Sequence, residues 1–288
     1  MKRSFWRKLL RIAGLSLLLI VIVLAVIAYR FISPKSDQQI LKIFEDETHQ
    51  PYIRFSDFNG KKIRVIEMQP EIDTVLPTLV FVHGSPGSSL DFKRYLKDEE
   101  LNAKYNLIAY DRVGYSDRNP GIPLNSLDQE VELLHSLLLK YNISKTTVIG
   151  YSYGGTVVMA SPLRYQQKVA LAAAVRGDLE PVFWALKLYE WKLTRPLLPG
   201  VLRAASEEKM RHIEELSGKD DRWKASGSQV LAVHGKKDFI VPYENSLYLA
   251  ELLGNRLDLV TLEEGDHALI WTEFDLIKKL LLEKMKEE

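Results

Sequence analysis

Gly150-Tyr151-Ser152-Tyr153-Gly154-Gly155 is the stretch on which the fold of this chain turns. Before it, Thr146-Thr147-Val148-Ile149 is rich in β-branched residues and reads as a buried strand; after it, Thr156 to Leu163 reads as a helix packed on a sheet. A serine at such a junction sits in a sharply turned backbone, so its neighbours have to be glycine or nearly so. Gly150, Gly154 and Gly155 meet that need. The G-x-S-x-G spacing lifts the serine hydroxyl clear of the sheet edge and points the first amides of the helix at it. A Gly/Ser-rich loop without chemistry has the same short pattern, so the rest of the sequence has to decide.

At 288 residues and 46% hydrophobic, the chain is long enough for one full-sized α/β domain with appendages. A formal net charge of +1 offers no basic footprint for nucleic acid, so none is expected as a partner. With no cysteine, disulfides, thiolate zinc sites and a cysteine nucleophile are excluded. No metal-ligand cluster, phosphate loop or dinucleotide fingerprint is visible in the sequence, so neither a metal nor a cofactor is expected.

The N-terminus differs sharply from the rest of the chain. Lys2, Arg3, Arg7, Lys8 and Arg11 precede an uncharged run from Ile12 to Tyr29, which with Leu9 and Leu10 approaches the roughly 20 residues that span a bilayer. Residues 1–30 are therefore expected to be a transmembrane helix, a retained signal-anchor rather than a cleaved signal peptide with its h-region of about 7–15 residues. Val26 and Ala28 would serve the alternative, cleavage and secretion. The cationic flank predicts Met1 on the cytoplasmic side and the remainder of the chain outside, with the membrane as partner of the helix. Residues 31–51 read as a tether or a short amphipathic lead-in.

Tyr52 to Asp57 and Lys62 to Gln69 are strand-like runs joined at Asn59-Gly60, a hairpin signal. Thr78 to Val82, Asn106 to Tyr110, Val169 to Val175, Gln229 to Val233 and Leu257 to Leu262 read as further strands. Ser126 with Gln129 makes a capping box ahead of an amphipathic helix from Leu127 to Tyr141. Tyr243 to Leu253 and Leu269 to Met285 read as helices too. Strands alternating with helices predict a doubly wound, mostly parallel sheet, whose core spans 52–175 and 227–288. The alternation breaks over 176–226, which is helical in pattern and is expected to form a small cap over the strand ends.

A serine hydroxyl is a poor nucleophile until a base takes its proton, and that base needs a carboxylate to fix its tautomer. Among the 6 histidines, His267 sits in Glu264-Gly265-Asp266-His267, after the last strand and on the same sheet edge as Ser152. Asp238, just past the strand that follows the cap, is the expected carboxylate, with Asp178 as the rival. His83, at the head of His83-Gly84-Ser85-Pro86-Gly87, suits a role in holding its loop better than a role as base. That loop lets the backbone of Ser85 approach closely, so Ser85 and Tyr153 are the expected amide donors of an oxyanion hole.

These stretches, together with Asp111 to Ser116 and in this order, resemble the α/β-hydrolase fold superfamily, in the branch with a helical cap after the sixth strand. The resemblance covers Tyr52 to the C-terminus and implies Ser152 as nucleophile, His267 as base and Asp238 as its orienter. Serine rather than aspartate at the turn separates the chain from the haloalkane dehalogenase and epoxide hydrolase relatives. The implied activity is a membrane-anchored serine hydrolase acting on an ester or related acyl bond of a small-molecule substrate. Acyl transfer, carbon–carbon bond hydrolysis and aminopeptidase activity would use the same residues, and a non-catalytic binding protein is the reading of another class. The aromatic stripe Phe183, Trp184, Leu188 and Trp191 either packs the cap or lines an apolar pocket, with Trp184 and Trp191 as its substrate-binding residues. Oligomeric state is not legible.

Overall fold

The computed structural model describes residues 2–124, 126–184 and 186–283. The chain opens with helix α1, Lys2–Ile32, followed by α2, Asp37–Ile43. Ser36 and Gln39 form a reciprocal capping box at the start of α2, each side chain accepting from the other's backbone amide. Ile40 in α2 and Phe44 after it are fully buried among Leu79, Phe81, Phe92 and Tyr95. Ile40 and Phe44 thus dock α2 on the sheet domain.

The N-terminal expectation needs correction. Among the described residues no helix is long and apolar enough to cross a membrane. The uncharged stretch of α1, Ile12 to Tyr29, lies at the short end of the lengths a bilayer requires and is closed at both ends by arginines, Arg11 and Arg30. The transmembrane helix, the signal-anchor over 1–30 and the single-pass, extracytoplasmic placement fall with that finding.

Strands β1 (Tyr52–Phe58) and β2 (Lys61–Glu67) form the hairpin, with Asn59 and Gly60 at φ 53° and 74° as a primed turn demands. The others are β3 (Thr78–Val82), β4 (Asn106–Tyr110), β5 (Thr146–Tyr151), β6 (Gln167–Leu171), β7 (Gln229–Gly235) and β8 (Leu257–Leu262). They form one 8-stranded sheet in the order β1-β2-β4-β3-β5-β6-β7-β8. The β1–β2 and β2–β4 pairs are antiparallel and the remaining pairs parallel. Every residue of β3, β4, β5 and β6 is buried, as expected of parallel strands covered on both faces.

Alternate side chains feed two cores. Val80, Val148, Ala170 and Ala232 face α5 (Leu127–Leu137), α6 (Tyr153–Ala160), α9 (Asp220–Lys224) and α10 (Glu244–Leu253). Leu79, Ile149, Val169 and Leu231 face α2, α3 (Lys93–Lys97), α4 (Glu99–Lys104), α11 (Leu269–Thr272) and α12 (Phe274–Glu283). Between β6 and β7 lie α7 (Leu186–Glu190) and α8 (Gly200–Leu216), which with α9 make up the inserted 176–226 segment.

Several boundaries differ from the sequence expectation, and α6 is shifted as a whole, to Tyr153–Ala160 from the expected Thr156 to Leu163. The terminal helix is two helices that meet at Glu273. Helix α5 stops at Leu137 rather than Tyr141. β6 begins at Gln167 and ends at Leu171, because Ala172 turns to φ 46°. Hydropathy misses its start because Lys168 is fully buried, its ammonium donating to the carbonyls of Met159 at 3.1 Å and Ser161 at 2.6 Å. Lys168 thereby satisfies carbonyls at the C-terminal end of α6.

A Cβ at Gly154 would lie 2.1 Å from the carbonyl oxygen of Val82 and 2.6 Å from that of His83, both fixed backbone atoms. Gly154→Ala is expected to cost at least about 3 kcal/mol in urea unfolding, with β3 and β5 forced apart. A cost within about 0.5 kcal/mol, the range of a neutral surface change, would contradict the close approach.

Candidate active site

β5 ends at Tyr151 and α6 starts at Tyr153, so Ser152 alone makes the turn, at φ 53° and ψ −122°. Its N–H donates to Leu171 O and its own carbonyl accepts from Gly155 N, both at 2.9 Å. A Cβ on Gly150 would fall 2.3 Å from Gly154 O, so the turn closes only with glycine there.

β7 and β8 deliver the partners. Ser152 Oγ lies 3.2 Å from His267 Nε2, and His267 Nδ1 lies 2.7 Å from Asp238 Oδ2. An ionised carboxylate only accepts, so the imidazole hydrogen sits on Nδ1 and Nε2 is free to take the serine proton. Asp238 is itself clamped. Its Oδ1 accepts from the amides of Ile240 and Val241, both at 2.9 Å, and its Oδ2 is 3.3 Å from His234 Nε2. Burial alone would raise the carboxyl's pKa; hydrogen bonds from His234 and His267 overcome it and hold the group well below the usual carboxylate range. His234 Nε2 also faces Val241 O at 2.9 Å, which leaves Nδ1 to accept from the Ser246 hydroxyl at 2.7 Å. The Tyr151 hydroxyl donates to the His267 carbonyl at 2.7 Å and steadies that turn. Asp178, the rival carboxylate, is exposed and pairs with Arg176 instead.

The loop after β3 closes the other side. A Cβ on Gly84 would stand 3.0 Å from Ser152 Cβ, so this backbone lies directly against the serine. Ser85 and Ser152 border one cavity, and the Tyr153 amide, first of α6, has no acceptor within the helix. His83 is a structural residue: Nε2 accepts from Arg112 N at 2.9 Å and Nδ1 donates to Gly84 O at 2.8 Å. Burial first, and Arg112 second, hold its pKa well below the ordinary histidine value.

Beneath the loop lies a buried charge cluster. The Arg112 guanidinium donates to Gly84 O at 3.2 Å, to Glu130 at 3.0 and 3.2 Å, and to Glu208 on α8. Burial would lower its pKa, but the two carboxylates push it well above the usual value. Tyr115 donates to Glu208 Oε2 at 2.5 Å, so the 2.7 Å contact between Ser85 Oγ and Tyr115 OH is a bond donated by the serine. A side chain of the inserted segment thus holds both Gly84 and Ser85 in place.

The cavity above Ser152 has a volume of about 380 Å³. Phe183, Leu186, Leu188, Leu198, Leu202, Ile240 and Val241 supply an apolar wall, and Glu180, Lys209 and His212 a polar one. Trp184 and Trp191 are not part of its lining: they are 77% and 63% exposed, and they flank α7, which at one turn is too short to hold both on one helical face. Phe183 and Leu188 of the expected stripe do line it; Leu186, Leu202, Glu208 and His212 escaped the sequence reading, since nothing separates a buried helical glutamate from a solvated one in sequence. His234 did carry a signal, standing before glycine at a strand end as His83 does.

Residues 79–275 match the model of the alpha/beta hydrolase family, and the chain belongs to that family. It is a hydrolase. Among curated proteins, a 2-succinyl-6-hydroxy-2,4-cyclohexadiene-1-carboxylate synthase of Escherichia coli O157:H7 is 34% identical over 84 residues, 29% of this chain and 32% of that protein. The chain thus spans about a third of the length of the curated relatives it matches first. A protein of Agrobacterium fabrum named "Putative carbamate hydrolase" is 25% identical over 75% of this chain and 96% of its own length. Among solved structures, a 2-hydroxy-6-oxo-6-phenylhexa-2,4-dienoate hydrolase of Rhodococcus sp. strain RHA1 superposes with a TM-score of 0.66 at 19% identity, over 83% of this chain and all of that one. Its likeness is one of fold.

Arg112→Met removes the shared cation and leaves two buried carboxylates facing each other. We expect a loss of about 3–5 kcal/mol in chemical unfolding, the usual effect of breaking a buried ion pair from one side. A loss under about 1 kcal/mol would mean that the cluster is not held together by Arg112.

Proposed function

We propose that the protein is a serine hydrolase that cleaves an ester or related acyl bond of a small, mainly apolar substrate through an acyl-enzyme intermediate. The observation that supports this most is the continuous chain from Ser152 Oγ through His267 to a clamped, ionised Asp238, opening into an apolar cavity. A 3.2 Å separation is within reach for proton transfer without rearrangement. Ser152 Oγ attacks the acyl carbon while His267 Nε2 takes its proton, and Asp238 stabilises the imidazolium. Negative charge on the carbonyl oxygen is met by the amides of Tyr153 and Ser85, each worth about 10²–10³ in rate. His267 gives that proton to the leaving group as the acyl-enzyme forms, then draws one from water, whose oxygen attacks the acyl carbon, and returns it to Ser152 Oγ as the acid leaves. Acyl transfer, carbon–carbon hydrolysis and aminopeptidase chemistry differ only in the leaving group or acceptor; the open apolar cavity favours the acyl ester.

A fluorophosphonate probe should label the protein and fail to label Ser152→Ala; an unlabelled wild-type protein would point to a binding protein on a hydrolase fold. Ser152→Ala and His267→Ala should each lower turnover of a p-nitrophenyl ester by about 10³-fold or more with the fold intact, and Asp238→Asn should follow by favouring the wrong tautomer. Near-full activity in Asp238→Asn would sink its assigned role.

Chain-length selectivity tests the cavity. From acetate to medium-chain p-nitrophenyl esters, kcat/KM should rise by up to about 0.8 kcal/mol per buried CH₂. Leu202→Ala should alter that series, whereas Trp184→Ala and Trp191→Ala should not. The reverse pattern would move the acyl site to the outer face of the cap.

A further inference from the structure

The polar wall of the cavity is not accounted for by hydrolysis of a purely apolar ester. His212 and Glu180 are only 4% and 7% exposed, and both border the cavity that holds Ser152. His212 Nδ1 faces Glu180 Oε2 at 3.4 Å, and Lys209 binds the same oxygen. Burial would raise the Glu180 pKa, but His212 and Lys209 lower it on balance, so the group is a carboxylate and can only accept. The His212 hydrogen therefore sits on Nδ1, and Nε2 is a bare acceptor. Neither His212 Nε2 nor Glu180 Oε1 has a hydrogen-bond partner, although both atoms are buried. Buried acceptors without donors are rare and costly.

The ring cannot readily turn away. It stacks on Tyr153, the residue after Ser152, with centroids 4.5 Å apart and planes 6° apart. Its position relative to the reacting serine is set by that stack.

The geometry points to His212 and Glu180 as a specificity site for a hydrogen-bond donor on the substrate, a hydroxyl or amino group carried on an otherwise apolar acyl chain. This rests on the acyl-hydrolase assignment and narrows its substrate class. Two acceptors on one wall complement a donor, while an acceptor-only group, such as an ether or a second ester, leaves both of them unpaired. The charge of Lys209 is already balanced by Glu180, which disfavours an anionic substrate here.

The test measures affinity, so it does not depend on turnover. Ethyl hexanoate, its hydroxy derivatives with one hydroxyl at successive carbons, and the matching methoxy derivatives are titrated by calorimetry against Ser152→Ala. At one position the hydroxy ester should bind about tenfold or more tighter than both the plain and the methoxy ester. In Ser152→Ala/His212→Phe, which keeps a ring to stack on Tyr153, the preference should disappear. Glu180→Gln in the same background can offer its amide hydrogen to Nδ1 and move the imidazole hydrogen to Nε2, so the hydroxy-over-methoxy ratio should fall towards one or invert; this variant decides the matter if the phenylalanine fails to fold. No preference at any carbon, or a preference that survives both variants, overturns the site. Fluorophosphonate labelling of the wild-type protein separates the two claims: labelling without the preference removes only the donor site, and the preference without labelling removes only the hydrolase mechanism.

Discussion

Ser152 holds a positive φ that a residue with a side chain adopts only under constraint, at a cost on the order of 1–3 kcal/mol. The constraint is supplied by three adjacent strands. β5 leads into the turn, β6 accepts its amide through Leu171, and β3 presents its carbonyls so closely to Gly154 that no side chain fits between. The strained serine and the central sheet are therefore one object. The turn directs its hydroxyl at His267 Nε2, 3.2 Å away.

The second organising element is electrostatic. Arg112 lies under the loop after β3 and meets a carboxylate from α5 and another from α8. A fully buried cation of this kind is tolerated only where its partners are fixed, and here the partners fix the molecule in return. Gly84 is held by Arg112 directly and Ser85 by way of Tyr115 and Glu208. The inserted helices are thereby part of what shapes the amide side of the site, in addition to roofing the cavity.

How much of this was legible depends on which signals are local. Thr78–Val82, Asn106–Tyr110 and Leu257–Leu262 were readable to the residue, because short runs rich in apolar and β-branched residues, bounded by turn residues, leave little freedom. Ser152, His267 and Asp238 could be brought together on paper because each follows a strand of one parallel sheet and so lies at the same edge. Ser85 and Tyr153 came from the same logic. The roles of Glu208, Glu180 and His212 depend on how α8 is set down over the sheet, and nothing in a helical stretch of mixed polarity announces that. The two tryptophans misled for a related reason: spacing of four and seven residues implies a continuous helix, whereas Leu186–Glu190 is too short to bring both to one inward face. At the N-terminus, a run of apolar residues suggests a span although its uncharged length is marginal from the start.

Lys168 has a consequence of a different kind. Burial is the main reason its amine binds a proton poorly in the folded chain, with the pKa pushed down to about 7, and the charge of Arg256 adds to it. An unfolded lysine keeps its proton up to about pH 10.4. Between those two values the unfolded chain holds more protons than the folded one, so unfolding consumes a proton and the fold grows more stable as pH rises through the window. Asp238 works at the other end of the scale. Its depressed pKa contributes stability that is present above the ordinary carboxylate range near pH 4 and lost as pH falls below it. Both groups thus act in one direction, and from them alone acid is the denaturant and mild alkali the protectant.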